Sequence, residues 1–529
     1  MAENDITTPL LSSSDHLIIT VESTSSTNQQ SRQPNPFAFI GCGPVPEPPE
    51  PSTVDPFRNN TPRMEGVYEW VKVVACLPLA VVRLVLFVLC LGVGFVATKI
   101  ALLGWKDNKN PMPKWRTRIM WVTRMCARVI LFSFGYQWIK RRGRPAPREI
   151  APIIVSNHVS YIEPIFYFYE LFATIVASES HDSLPFVGTI VRAMQVIYVD
   201  RFSASSRKQV VQEIKRRASC DRFPRVLLFP EGTTTNGRNL ISFQLGAFIA
   251  GYPIQPVIVR YPHVHFDQSW GHISVTMLML RMLTQFHNFF EVEYLPVISP
   301  LDDKETAEHF CERTARAIAT AMNGVQTRHS YGDLMLYTKA QESKKENPSN
   351  YMVEMASVES LFHIRSLEAV GFLDKFLAMN PDPSGRVQYD GFLRVLRLKD
   401  CPLSQKVFAF IDVKKSGAIT FRQFLYRSAH VMTQPGFNQA CEVAFAECGG
   451  AVKPYIIEQQ LQYFIQHAIP GWKENEVHEL FELFDNDNDG RINKDEFLSC
   501  LRRNPLLIAI FTPHQQHKEC RPNGVIEIL

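Results

Sequence analysis

Residues 150–164 read IAPIIVSNHVSYIEP. A short run of branched apolar residues gives way to polar ones, which is the pattern of a buried strand delivering Asn157 and His158 at its carboxyl end. Open α/β sheets place their ligands at that edge. Glu163 follows His158 by five positions. On one regular helix such residues sit about 140° apart, so they can meet only if a turn separates them. Pro164 suits a first helical position and Glu163 a cap, with IFYFYELFA as the helix that follows. The spacing alone carries little information, because His363 with Glu368 and His514 with Glu519 share it.

Downstream runs repeat the plan. MQVIYVDR (194–201) is strand-like and ends in Arg201, and RVLLFPEGT (225–233) runs into Phe229, Pro230, Glu231, Gly232 and Thr233. GYPIQPVIVRYP (251–262) supplies a fourth apolar strand. In this order and separation the four blocks resemble the four motifs of the glycerolipid acyltransferase family, membrane enzymes that acylate glycerol phosphate and lysophospholipids. The resemblance implies an α/β acyltransferase domain with a mixed sheet, preceded by a membrane helix or hairpin. One departure is visible: the family's first motif usually ends in aspartate, and here Glu163 stands in that place.

The chemistry asks for these residue types. Acylating a free hydroxyl from a thioester needs a base to take the hydroxyl proton, and an imidazole titrates close enough to neutrality to serve. His158 is the expected base. Glu163, accepting from the other ring nitrogen, fixes the tautomer and stabilises the developing cation. Arg201 matches the family's phosphate-binding position, where a planar guanidinium makes charge-assisted contacts. By the same resemblance Asn157 and the block Phe229 to Thr233 help bind the acceptor, Pro230 and Gly232 shaping a tight turn. The reaction needs no metal or other cofactor and no acyl-enzyme, although Ser156 and Ser160 stand nearby. His263 and His265 form a His-x-His pair without further ligands, a poor metal site.

The flanks set the context. The chain has 529 residues, 46% of them hydrophobic, with room for several domains. A net charge of +4 gives no reason to expect a nucleic-acid partner. Eleven scattered cysteines without a Cys-x-x-Cys pair fit reduced thiols facing the cytosol. Residues 1–62, rich in Ser, Thr, Pro and Asn, read as a disordered cytosolic tail. Residues 63–148 carry a membrane segment at about 73–103 followed by a basic, Trp-bearing amphipathic helix suited to a headgroup layer or to packing on the next domain. Arg83 interrupts the apolar run, and Pro78, Gly92 and Gly94 suit a bent re-entrant hairpin as well as a single span. The basic residues beyond place the catalytic and C-terminal domains in the cytosol. An acyltransferase domain is expected over 149–335, a charged linker over 336–350, and a tail over 513–529.

Residues 351–512 repeat a helix–loop–helix unit. DNDNDGRINKDE (485–496) places Asp485, Asp487 and Asp489 at loop positions one, three and five, Gly490 at six and Glu496 at twelve, with Arg491 offering its backbone carbonyl. This is the calcium loop of an EF-hand. The units from Asn380, Asp412 and Gly449 lack that ligand set and read as structural partners, leaving one Ca2+ site in an all-α domain. Over nearly its whole length the chain thus resembles the EF-hand-bearing lysophospholipid acyltransferases. VDPFRNNTP, NHVSYIEPIFYFYEL, ASESHDSLPFVGTI and RYPHVHFDQSWG are most similar to those of plant lysophosphatidylethanolamine acyltransferases. The resemblance implies acyl-CoA and a lysophospholipid as substrates, at the endoplasmic reticulum membrane. Lysophosphatidylethanolamine is the expected acceptor, with lysophosphatidylcholine, lysophosphatidylserine and lysophosphatidate, or a catalytically weak calcium sensor, as alternatives.

Overall fold

The computed structural model describes residues 35–43, 54–105 and 110–511, apart from 184, 272, 303, 452 and 470. The acyltransferase-like part contains nine strands, β1 (Ile139–Arg142), β2 (Ile153–Ser156), β3 (Thr174–Ser178), β4 (Ile197–Val199), β5 (Val226–Leu228), β6 (Asn239–Leu240), β7 (Ile254–Arg260), β8 (Phe290–Tyr294) and β9 (Val325–Gln326), among the described residues; the four runs read as strands are β2, β4, β5 and β7. Seven of them build one sheet in the order β1-β8-β7-β2-β5-β3-β4. All its neighbours are parallel except β7 with β8, so the sheet is mixed. β6 and β9 form a separate two-residue ladder.

Side chains alternate across the sheet, as a pleat requires. Ile154, Leu227, Val257 and Val259 face one core, and Ile153, Val155, Val226, Leu228 and Ile258 face the other. The first core is closed by α1 (Val67–Leu102), α2 (Lys114–Ser133), α3 (Ile162–Leu171), α4 (Val187–Ala193) and α6 (Val275–Leu283). The second is closed by α5 (Ala204–Ala218) and α7 (Ala307–Met322). α8 (Tyr331–Glu342) leads towards the C-terminal module. The domain therefore starts earlier than expected, since β1 pairs with β8, and α8 extends into the stretch 336–342 that read as linker.

α1 is one continuous helix of 36 residues, long and apolar enough to cross a membrane. Its length, about 54 Å, exceeds a bilayer core of about 30 Å. Gly94 and Arg83, which interrupt the apolar run, make contacts with neighbouring helices and loops. Gly94 lets α2 come close: a Cβ there would lie 3.4 Å from Thr123 Cγ2, and the hydroxyls of Thr98 and Thr123 stand 3.1 Å apart. Arg83 is buried against the end of α6, donating to the carbonyls of Leu283 and Phe286, each at 3.0 Å, and of Gln285. Leu283 ends the helix, so its carbonyl is one of the orphan acceptors a helix C-terminus leaves, and Gln285 and Phe286 lie in the loop that follows. In the same way Arg124 of α2 donates to the carbonyls of Tyr169 and Glu170 at the end of α3. α2 packs on the catalytic domain, while Trp115, Trp121 and Phe132 stay exposed on its outer side.

The reading of 1–62 as a disordered tail fails for the described part of it. Phe37, Ile40 and Cys42 are buried in the C-terminal module's core, and Phe57 packs with Ile241 and Met352. Phe37, Ile40 and Phe57 are apolar anchors within a stretch of otherwise polar composition. Residues 1–34, 44–53 and the expected tail 513–529 lie outside the described residues.

The C-terminal module holds four helix–loop–helix units in two pairs. Arg386–Gln388 pairs antiparallel with Ala418–Thr420, and Tyr455–Ile456 with Ile492–Asn493. The apolar segment Pro505–Phe511 is buried throughout, inside this module's core.

Candidate active site

The carboxyl ends of β2, β4 and β5 share one edge of the sheet, because these strands are parallel. They deliver His158, Arg201 and the block from Phe229 to that edge. The turn after β2 brings His158 and Glu163 together: Nδ1 and Oε2 are 2.8 Å apart. The helix starts at Ile162, two residues earlier than expected, so Glu163 lies in its first turn and Pro164 just inside it. From there the carboxylate reaches back to accept the Ser160 N–H, at 3.0 and 2.9 Å on its two oxygens. Oε1 also accepts the Tyr261 hydroxyl at 2.5 Å. The extra methylene of glutamate is thus absorbed by its placement on the helix.

Burial shapes the electrostatics. The Glu163 side chain has no exposure, whereas that of His158 keeps 18%. Every described partner of the Glu163 carboxylate is a donor, which suits a charge kept out of water. Phe229 stacks on the His158 ring, with centroids 4.0 Å apart and planes at 17°. Glu231 is wholly buried and accepts the His158 backbone N–H at 3.0 Å. Burial pushes its carboxyl up to about 8, against the pull of donors that include His158 and Thr235, while the nearby Glu163 charge pushes the same way as burial. Glu231 meets the backbone of His158, and Glu163 is the carboxyl that faces its ring.

Among the described residues Nε2 of His158 has no hydrogen-bond partner, so an imidazole with an oriented ring and an open nitrogen stands at the strand edge. A family model described as Acyltransferase matches residues 139–260, which holds this whole turn, and an EF hand domain model matches residues 476–504. The chain is 66% identical over 482 residues to the lysophospholipid acyltransferase LPEAT2 of Arabidopsis thaliana, covering 90% of this chain and 89% of that protein. The chain belongs to the lysophospholipid acyltransferase family. More distant relatives are named lysophosphatidylcholine acyltransferase: one from Drosophila melanogaster is 28% identical over 79% of each chain. Another from Danio rerio is 29% identical over 77% of this chain and 80% of its own.

Within this acyltransferase the other expected site residues divide. Asn157 is fully buried, its amide bonded both ways to the Val259 backbone at 3.1 and 2.8 Å, so it ties β2 to β7. Phe229 and Glu231 serve the histidine, one through its ring and the other through its backbone. Gly232 takes φ of 72°, and its N–H closes a turn onto the Phe229 carbonyl at 2.9 Å, with Pro230 inside that turn and Thr233 half-buried after it. Arg201 lies in the loop after β4, its guanidinium 4.6 Å from the centre of the Tyr331 ring at the start of α8. Ser156 is buried, its hydroxyl bonded to Tyr167, and Ser160 is buried too, so neither offers a nucleophile. Tyr261 was missed by the sequence reading; it is the residue that follows β7, and only the fold sets it against Glu163.

In the acyltransferase's EF-hand loop the carboxylates of Asp485, Asp487 and Asp489 converge within 4.8 Å. Gly490 takes φ of 79° and donates to Asp485 at 2.9 Å, and Glu496 accepts the N–H groups of Asn486 and Asn493. Hard oxygen donors around one point fit a calcium ion, with the Arg491 carbonyl the expected backbone ligand. The loop from Asp412 lacks the ligands: Asp412 accepts the N–H groups of Ser416 and Gly417 just as Asp485 accepts those of Asp489 and Gly490, but Lys414 and Gln423 stand at its third and twelfth positions. At Gly391, the twelfth position of the first loop, a Cβ would collide with the Met379 carbonyl, so no glutamate fits.

Proposed function

We propose that this acyltransferase moves an acyl group from acyl-CoA to the free hydroxyl of a lysophospholipid, lysophosphatidylethanolamine in particular, with His158 as general base. The observation that carries the reading is the 2.8 Å contact from Nδ1 to a buried Glu163, with Nε2 left open. Nε2 takes the hydroxyl proton as the oxygen attacks the thioester carbonyl. The C–S bond then breaks, and the imidazolium returns the proton to the departing thiolate. Glu163 holds the tautomer and stabilises the imidazolium. Arg201, seated on Tyr331, binds the acceptor phosphate, and Thr233 and the turn at Gly232 line its approach.

The choice of ethanolamine headgroup rests on the four stretches that resemble plant enzymes, and lysophosphatidylcholine is its direct competitor because the distant relatives carry that name. The exposed apolar side of α1, with Val74, Val81, Val85, Val88 and Val96, enters the endoplasmic reticulum membrane, leaving the catalytic and EF-hand domains in the cytosol. One calcium ion binds at Asp485 to Glu496. Purified protein assayed with labelled acyl-CoA against a panel of lysophospholipids, with and without chelator and beside His158→Ala, tests all of this. Full rate in His158→Ala removes the base, and faster turnover of another headgroup removes the acceptor assignment.

A further inference from the structure

The stretch VDPFRNNTP, ahead of the membrane helix, has no role in the chemistry above, yet it lies across the outside of the catalytic turn. Two backbone bonds hold that turn from opposite sides: Thr235 donates to the His158 carbonyl at 2.7 Å, and Trp270 donates to the Val159 carbonyl at 3.0 Å. Both donors belong to loops, and both loops are anchored on the same strap. On one side the Asn236 backbone donates to the Pro56 carbonyl at 2.7 Å, and its side chain to the Asp55 carbonyl at 3.0 Å. On the other side Asn59, 2% exposed, donates to the carbonyls of Ser269 and Asp267 at 2.7 and 3.0 Å.

The fit is close on both flanks. Gly271 has φ of 53°, and a Cβ there would stand 2.9 Å from Asn59 Cβ. Gly237 brings its loop onto Val159, where a Cβ would lie 2.8 Å from a methyl group. The strap is itself held fast. Asp55 caps its own turn by accepting the N–H groups of Phe57 and Arg58, and its other oxygen accepts the Ser349 hydroxyl at 2.6 Å, at the entrance to the EF-hand module.

We propose that residues 55–61 form a clamp on the catalytic turn and that Asn59 is a positioning residue for His158, acting through the loop that carries Trp270. A buried amide that bridges two carbonyls fixes where that loop sits, the loop fixes the Val159 carbonyl, and the imidazole one residue earlier inherits its distance to Glu163. A small misplacement of a base is costly to rate without touching substrate affinity. The proposal rests on His158 being the base.

Asn59→Ala in the full-length protein in detergent tests it. The expected result is a kcat lower by about 10- to 100-fold with both KM values within about twofold of wild type. The acid limb of the kcat–pH profile moves to lower pH, because a looser contact with Glu163 stabilises the imidazolium less. Asn236→Ala, milder because its side chain is half-buried, shows the same split to a lesser degree, and Arg63→Ala, exposed beyond the strap, changes nothing. An unchanged kcat in Asn59→Ala overturns the proposal, whatever Asn236→Ala does. So does a loss matched by the folded fraction, measured by circular dichroism, with the pH profile unmoved. If His158→Ala is inactive while Asn59→Ala keeps full rate, the clamp falls and the base stands; if His158→Ala keeps full rate, the base itself falls.

Discussion

Replacing Glu163 by glutamine keeps size and shape and removes one charge. Each described group around the carboxylate donates: His158 through Nδ1–H, Ser160 through its backbone, Tyr261 through its hydroxyl. A carboxylate can accept from all three, but an amide has one oxygen and must turn its NH2 group towards a donor. If the NH2 faces Nδ1, the ring proton has to move to Nε2, and a protonated Nε2 cannot take a hydroxyl proton; a wrong tautomer of this kind costs about 10⁴-fold in kcat. If the amide turns the other way, Tyr261 has to reverse its bond. The imidazolium then faces a neutral oxygen in place of a charge, a loss of about 1–2 kcal/mol, or roughly 5- to 30-fold. The assay is single-turnover acyl transfer from labelled acyl-CoA, normalised to folded protein. A Glu163→Gln rate within about threefold of wild type would refute the reasoning, since neither orientation of the amide allows it.

The remaining expectations concern charge, metal and acceptor. Glu231 holds its proton more tightly folded, at about 8, than at its ordinary 4.5, so its contribution to stability is full below the ordinary value and is lost as pH rises through about 8. The melting temperature of wild type should therefore fall more steeply over that window than that of Glu231→Gln, and parallel curves would contradict it. Calorimetry should find about one calcium ion per chain, lost in Asp485→Ala and kept in Asp412→Ala, whose loop carries Lys414 and Gln423 at ligand positions. Arg201→Gln should raise KM for the lyso-acceptor by roughly 10- to 150-fold, with KM for acyl-CoA unmoved. Tyr331→Leu, which removes only the ring beneath the guanidinium, should raise it a few-fold.

Much of this architecture was legible because its signals are local. The branched runs that became β2, β4, β5 and β7 carry their own periodicity, and polar residues mark where each ends. The calcium loop is a contiguous pattern of twelve positions. What escaped was encoded in long-range contacts. Tyr261 meets Glu163 across 98 residues and Asn59 meets Ser269 across 210, and no spacing rule joins such pairs. Burial also changed readings: Asn157 and Glu231 belong to the acyltransferase motifs, yet one braces two strands and the other holds the histidine backbone. A polar residue beside a reactive one reads as a substrate contact until its direction is known. The start of α3 slipped by two residues because a carboxylate in the first turn can satisfy the entering backbone as well as one at the cap.

Arg83 has a geometric consequence. A smooth apolar helix can spin about its axis and slide along its length among lipid tails at little cost, but one guanidinium locked onto the carbonyls of Leu283, Gln285 and Phe286 works as a key in a slot. It fixes the azimuth of α1, and with it the angle at which the reactive edge of the sheet is presented to any lipid on the outer side. Inserting one residue between Val67 and Arg83 would swing the preceding turns by about 100°. The apolar stripe on those turns would rotate out of line with the stripe beyond the key, though no atom of the catalytic turn had moved.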